Sequence, residues 1–177
     1  GGSEGREYLV LSQGAWAASC KAFARAAGET AGGQAVYMPV IPMTVAGSTS
    51  IIPALLGGLK IVIPNNRSMP GIAELVVREK VNMLFLTPLW LSRFTRVVRS
   101  RGADVSSLRK IAVGTDTVHA AVMRRAVETF GPVVSCGYGM AEVLPPLSLL
   151  GPEEYMTGAQ IEERLLHSVG KPYPHID

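Results

Sequence analysis

From residue 35 onward, short apolar runs alternate with stretches of helical period, and few folds accommodate that alternation. Ala35 to Ile41, Lys60 to Ile63, Val81 to Leu86, Leu108 to Val113 and Pro132 to Cys136 read as strands. Between them Ser50 to Leu56, Gly71 to Lys80, Leu89 to Arg101 and Val118 to Phe130 read as helices, with Ile72, Leu75 and Val76 sharing one face of the second. Strands that are apolar on both sides and separated by amphipathic helices predict an α/β fold, a parallel five-strand sheet with helices on both faces. An earlier amphipathic stretch, Ser12 to Ala27, carries Trp16, Cys20 and Phe23 and is expected to pack on that sheet. In such sheets ligands gather beyond the carboxyl ends of the strands. Here those ends open into segments starting at Pro42, Pro64, Thr87, Gly114 and Gly137.

A chain of 177 residues, 47% hydrophobic and 18% charged, can bury one full core and is not disordered. Its formal net charge is only +3. Arg93, Arg96, Arg99, Arg101 and Arg109 cluster where a helix is expected, so they read as a solvated face and no nucleic-acid partner is predicted. Cys20 and Cys136 stand far apart, and His119, His167 and His175 lack ligand spacing, so neither a disulfide framework nor a zinc site is legible. A reducing, cytoplasmic setting is the expectation. Thr30 to Leu59 contains no charged side chain, but Pro39, Pro42, Gly47, Pro53, Gly57 and Gly58 punctuate it, so no transmembrane segment is predicted. Residues 1–7 read as a linker or cloning scar, 8–150 as the α/β unit, and 151–177 as a loop and the start of a next subdomain.

Cys136-Gly-Tyr-Gly-Met-Ala-Glu142 follows the last apolar run directly. Glycines let a backbone approach a bound group, Tyr138 offers a flat ring, and Glu142 can hold a cation or a hydroxyl. The spacing mimics a dinucleotide fingerprint but fails it. Glu142 replaces the third glycine, and Leu144-Pro145-Pro146 follows where a phosphate-binding helix should start. A nucleotide site and a plain strand-end turn with a buried Tyr and a solvated Glu both remain open on these residues alone.

Four pieces in fixed order together resemble the adenylate-forming enzymes, meaning acyl-CoA synthetases, luciferases and peptide-synthetase adenylation domains. Leu108-Arg109-x-Ile-Ala-Val-Gly114-Thr115-Asp116-Thr117 resembles the strand and turn that cup adenine. Gly137-Tyr138-Gly139-Met140-Ala141-Glu142 resembles the Tyr-Gly-x-Thr-Glu motif. Ser168-Val169-Gly170-Lys171-Pro172-x-Pro174 and Tyr37-Met-Pro39-Val-Ile-Pro-Met resemble two further conserved segments, the second beside the acyl pocket.

The resemblance implies a flavodoxin-like subdomain of an acid-thiol ligase. Such an enzyme joins a small carboxylic acid to ATP as an acyl-adenylate and passes it to CoA or a carrier-protein thiol, with Mg²⁺ as the metal. Carried over by position, Gly114, Thr115, Asp116, Gly137, Tyr138, Gly139 and Ala141 would contact ATP or AMP, and Glu142 would bind Mg²⁺. Pro42, Gly47 and Met140 would line the acid site, with Ser48 and Leu91 as further candidates; each of these could equally be ordinary core or turn. Two positions depart from the pattern. Ala141 stands where a Thr usually contacts the α-phosphate, and Pro42 where many members have His. The resemblance also implies that a phosphate loop, a ribose-binding Asp and a catalytic Lys fall outside this chain, so the chain by itself is expected not to form an acyl-adenylate. The alternative is a self-contained, non-enzymatic α/β domain that binds a nucleotide or a partner.

Overall fold

The computed structural model describes residues 10–28, 36–40, 44–144, 146–157 and 160–172. Apolar runs form the first strands: β1 (Val36–Pro39), β2 (Lys60–Ile61), β3 (Met83–Leu86), β4 (Lys110–Val113) and β5 (Val134–Tyr138). These five pair in parallel in the order β2-β1-β3-β4-β5. Helices α1 (Gln13–Gly28), α2 (Val45–Leu56), α3 (Met69–Glu79), α4 (Pro88–Arg101) and α5 (Ala120–Phe130) accompany them. The chain then adds β6 (Ser148–Leu150), a small hairpin of β7 (Met156–Thr157) and β8 (Gln160–Ile161), and β9 (Lys171–Pro172).

Strands β6 and β9 lie antiparallel beyond β5, so the sheet has seven strands where five are expected from sequence. Segments of three and two residues carry too little alternation to be read as strands. Pro172 is tolerated because β9 is an edge strand. Helix α2 starts at Val45, five residues before the expected Ser50. Gly47 looks like a breaker, but its N–H is spent on the Thr44 Oγ1 cap at 3.1 Å. Ser68 and Thr87 cap α3 and α4 in the same way, each followed by a proline in the first turn.

The period of two along each strand sorts the sheet into unequal faces. Val36 and Met38, Leu84 and Leu86, Ile111 and Val113, and Val134 and Cys136 belong to one large buried cluster. Ile72 and Val76 of α3, Leu91 and Phe94 of α4, and Met123 and Val127 of α5 complete it, and Phe94 stacks on Phe130 with ring centroids 5.7 Å apart. Tyr155 and Leu166 from the later turns also join this core. On the opposite face, Tyr37, Met83 and Ala54 form a much smaller buried group with Phe23 and Phe85 packed around it. Helices α1 and α2 cover this side, with Phe23 meeting Tyr37 edge to face at 5.6 Å. Among the described residues no helix is long and apolar enough to cross a membrane.

Asn82, just before β3, ties the amino ends of three strands together. Its Oδ1 accepts from Val36 N at 2.9 Å, and its backbone O accepts from both Arg109 N and Lys110 N. Its Nδ2 donates to Ser107 O, while Ser107 Oγ donates to Val81 O.

Gly170 has φ of +84°, and a Cβ built there would lie 1.9 Å from Leu149 O, inside the backbone of β6. Neither the left-handed conformation nor that contact can relax without moving β9. The Gly170→Ala variant is therefore expected to lose the β6–β9 pairing, at a cost above about 1 kcal/mol. Hydrogen exchange should show faster exchange confined to β6 and β9, with β1 to β5 still protected.

Candidate functional site

Gly114 directly follows β4 and Gly137 lies near the end of β5, and the two strands run side by side. A Cβ on Gly114 would sit 3.2 Å from Gly137 O and 3.7 Å from the Phe85 ring, so a larger residue would force the strand ends apart. The turn after Gly114 and the turn after Gly137 are thus neighbours at the carboxyl edge of the sheet. Their residues Thr115, Gly137, Tyr138 and Gly139 form a ridge with a cavity on either side.

The first cavity is a slot of about 170 Å³ on the thinly covered face of the sheet. Met83 and Phe85 of β3 and Ala112 of β4 form its floor, and Phe23, Thr49 and Ser50 close it from the helix side. Leu149 and Pro146 complete it beyond β5. Its character is almost wholly apolar. Tyr37 O–H donates to Ser50 Oγ at 2.7 Å, and Ser50 O–H donates to Gly47 O at 2.7 Å. Burial holds the Tyr37 phenol far above its usual range, so it stays protonated.

The second cavity, about 290 Å³, is of mixed polarity. Asp116, Thr117 and Val118 line it on one side, and Leu166, His167, Ser168 and Val169 on the other. Asp116 Oδ1 accepts from Thr117 N at 2.7 Å, which shapes the turn. The far wall is held in place by Ser148 Oγ donating to Val169 O at 2.8 Å and by the Arg124–Glu163 ion pair. The Arg124 guanidinium holds the exposed Glu163 carboxyl below its usual range, although so exposed a pair contributes little to stability. Cys136 also lines this cavity, and behind it the buried Tyr155 hydroxyl makes no hydrogen bond of ordinary geometry and lies against the Cys136 sulfur. Burial pushes the Cys136 thiol up, which leaves it a poor nucleophile.

The sequence-derived residues divide accordingly. Gly114 and Thr115 border the slot, Thr115 and Asp116 border the polar cavity, and Gly137, Tyr138 and Gly139 border both. Tyr138 is half-exposed on the ridge. Ala141 and Glu142 form a short 3₁₀ turn beyond it, with Glu142 exposed and Met140 preceding it, also exposed. Met140 and Glu142 border neither cavity. Gly47 sits inside α2, whose Thr49 and Ser50 reach the slot instead, and Leu91 is fully buried in the large core. Pro42 lies outside the described residues. Thr49, Ala112, Leu149, His167 and Ser168 were not singled out from sequence as contact residues. The motif through Ser168 and Val169 was legible, but its return to the Tyr138 turn depends on β6 and β9.

Among the described residues no group of three His, Cys, Asp or Glu side chains is placed to hold a metal ion. Mg²⁺ commonly takes only one or two carboxylates and draws its other ligands from substrate phosphates and water. A single exposed carboxylate such as Glu142 fits that donor set.

A family model described as AMP-binding enzyme matches residues 8–177. The 2,3-dihydroxybenzoate-AMP ligase of Bacillus subtilis (strain 168) is 30% identical over 129 residues, covering 71% of this chain and 24% of that protein. The chain spans about a quarter of the length of the curated relatives it matches. Among solved structures, the amide bond synthetase McbA from Marinactinospora thermotolerans superposes with a TM-score of 0.76 at 25% identity, over 91% of this chain and 31% of that one. The o-succinylbenzoate coenzyme A synthetase MenE from Bacillus subtilis, in complex with ATP and magnesium ion, superposes with a TM-score of 0.74 at 19% identity, over 93% of this chain and 32% of that one.

Thr115, at the centre of the ridge, has φ of +78°. A β-branched residue is a steric outlier there, and strain of this kind costs of order 1–3 kcal/mol. Thr115→Gly removes the strain but gives the unfolded chain more freedom, so a net gain of roughly 1 kcal/mol in unfolding free energy is expected. Urea denaturation measures it, and a loss of stability would show that the turn is not strained.

Proposed function

The chain belongs to the AMP-binding enzyme family, and from that premise we propose that it provides the base and acid pockets of an adenylate-forming ligase. The observation that carries this reading is the pair of cavities of opposite character sharing one wall, made of Thr115, Gly137, Tyr138 and Gly139. In this reading the adenine of ATP enters the mixed-polarity cavity beside Asp116 and Ser168, with the Tyr138 ring flanking the base. The body of a carboxylic acid enters the apolar slot. The two substrates then meet over the ridge, where glycine backbone allows close approach.

The reaction is attack by a carboxylate oxygen on the α-phosphorus of ATP, with pyrophosphate leaving and an acyl-adenylate forming. A thiol, from CoA or a carrier protein, then displaces AMP to give a thioester. The adenylation half is supported by the name of the dihydroxybenzoate-AMP ligase and the thiol half by that of the coenzyme A synthetase. Mg²⁺, when bound, offsets the charge of the phosphates. The contribution of this chain's own residues is positional: Gly114 and Gly137 keep the two strand ends close, Tyr138 fixes the base, and Glu142 would hold the metal with the phosphates. Ala141 offers no hydroxyl to the α-phosphate. Relative to a Thr at that position, this forgoes about 0.5–1.5 kcal/mol for a neutral hydrogen bond, and more for one to a charged oxygen.

Calorimetric titration of this chain with AMP tests the reading. Stacking of a base on an aromatic ring is worth about 1–3 kcal/mol. Tyr138→Ala should therefore weaken AMP binding roughly 5- to 150-fold. Glu142→Gln should leave AMP affinity within about twofold while weakening Mg²⁺-ATP, because a metal contact is lost and the base contact is kept. Equal AMP affinity in the native chain and Tyr138→Ala would rule out the base site.

A further inference from the structure

The chemistry of the slot indicates which acid it takes, a step that rests on reading the slot as the acid pocket. Phe23, Met83, Phe85, Ala112 and Leu149 present only hydrocarbon to its interior. Two of the hydroxyls nearby already donate within the protein. Tyr37 O–H is spent on Ser50 Oγ and Ser50 O–H on Gly47 O, so neither proton points to a guest. Thr49 and Lys110 also border the slot, and each has an interaction of its own. A hydroxyl or charge carried in by a guest would give up water for a wall that is mostly hydrocarbon, with few polar groups to replace it.

Size narrows the choice further. The slot's 170 Å³ is close to the roughly 150 Å³ of an engineered cavity in another protein, lined by aliphatic and aromatic side chains, that stays dry and binds benzene. Along β4 and just past it the floor is set by the small residues Ala112 and Gly114, with the longer Lys110 of the same strand also bordering the slot.

We propose that the slot selects carboxylic acids whose body is an unsubstituted hydrocarbon of about one ring's volume and rejects hydroxylated aromatic acids. The acid's carboxylate lies at the ridge and its hydrocarbon body reaches down over β3 and β4. This separates the chain from its relative, whose name specifies a ring with two hydroxyls.

Ligand-observed NMR on the full chain, with benzoate, octanoate and 2,3-dihydroxybenzoate as probes and AMP titrated separately, tests the proposal. Benzoate and octanoate should bind at least about 10-fold more tightly than 2,3-dihydroxybenzoate, since an apolar pocket discriminates against an added hydroxyl by up to about 100-fold. Ala112→Phe fills the floor and should weaken both hydrocarbon acids at least about 10-fold. Retained AMP binding shows that the variant is folded, and Ala112→Leu serves if Ala112→Phe does not fold. If AMP binds but the dihydroxylated acid matches or exceeds benzoate, or if filling the floor changes nothing, the slot proposal is overturned and the base site stands. If AMP does not bind while the hydrocarbon acids bind and respond to Ala112→Phe, the base site fails and the slot's selectivity stands. Failure of all three acids to bind overturns the proposal as well.

Discussion

The approach of Gly114 to Gly137 is the contact on which the rest of the site depends. A Cβ on Gly114 would press on Gly137 O of the adjacent strand at 3.2 Å, and a Cβ on Gly137 would press instead on Ser148 O of β6 at 3.3 Å. With both glycines in place, the turns that follow form one continuous ridge, and the two cavities take opposite sides of it. A larger residue at Gly114 would press on β5 and one at Gly137 on β6, each displacing part of the ridge that both cavities share. Thr115, directly after Gly114, stores strain with φ of +78°, as does buried Leu144 beyond the second turn with φ of +43°, consistent with turns shaped by more than local preference.

The sheet's faces are unequal. Three helices and the later turns pack against Leu84, Leu86, Ile111 and Val113, giving a continuous core. Opposite them, α1 and α2 cover chiefly the β1 side, and the strip over Phe85 and Ala112 stays open enough to form a slot. A rule for open α/β sheets places ligands where the strand order reverses, which here is between β1 and β3. The slot begins there, at Tyr37 and Met83, and runs across to Gly137.

Much of this was legible in the chain because it depends on local pattern. The five parallel strands follow from apolar runs, and the paired turns from Gly114-Thr115-Asp116 and Gly137-Tyr138-Gly139. What escaped is set by long-range geometry. Ser148 to Leu150 and Lys171-Pro172 are too short to show a period, yet they carry Ser168 and Val169 back to the Tyr138 turn. The slot could not be read either, because its walls come from α1, α2 and strands up to about a hundred residues away, and only their register makes them neighbours. Thr49 and Ser50 lie in a helix whose start was misplaced by reading Gly47 as a break, although that glycine serves as a capped first turn.

Asn82 has a role beyond satisfying amides. By holding Val36, Arg109 and Lys110 at one point, it fixes how far β1, β3 and β4 can slide along one another. In a sheet with one packed face and one hollow face, sliding by a single residue would exchange the two. Ile111 and Val113 would turn toward the hollow, and Lys110 and Ala112 into the packed layer, burying a cation. Asn82 at the amino edge, its carboxamide holding β1 and its backbone carbonyl holding β4, thus acts as an index pin, and the alignment of a pocket more than three residues away, at the other end of the strands, is inherited from it.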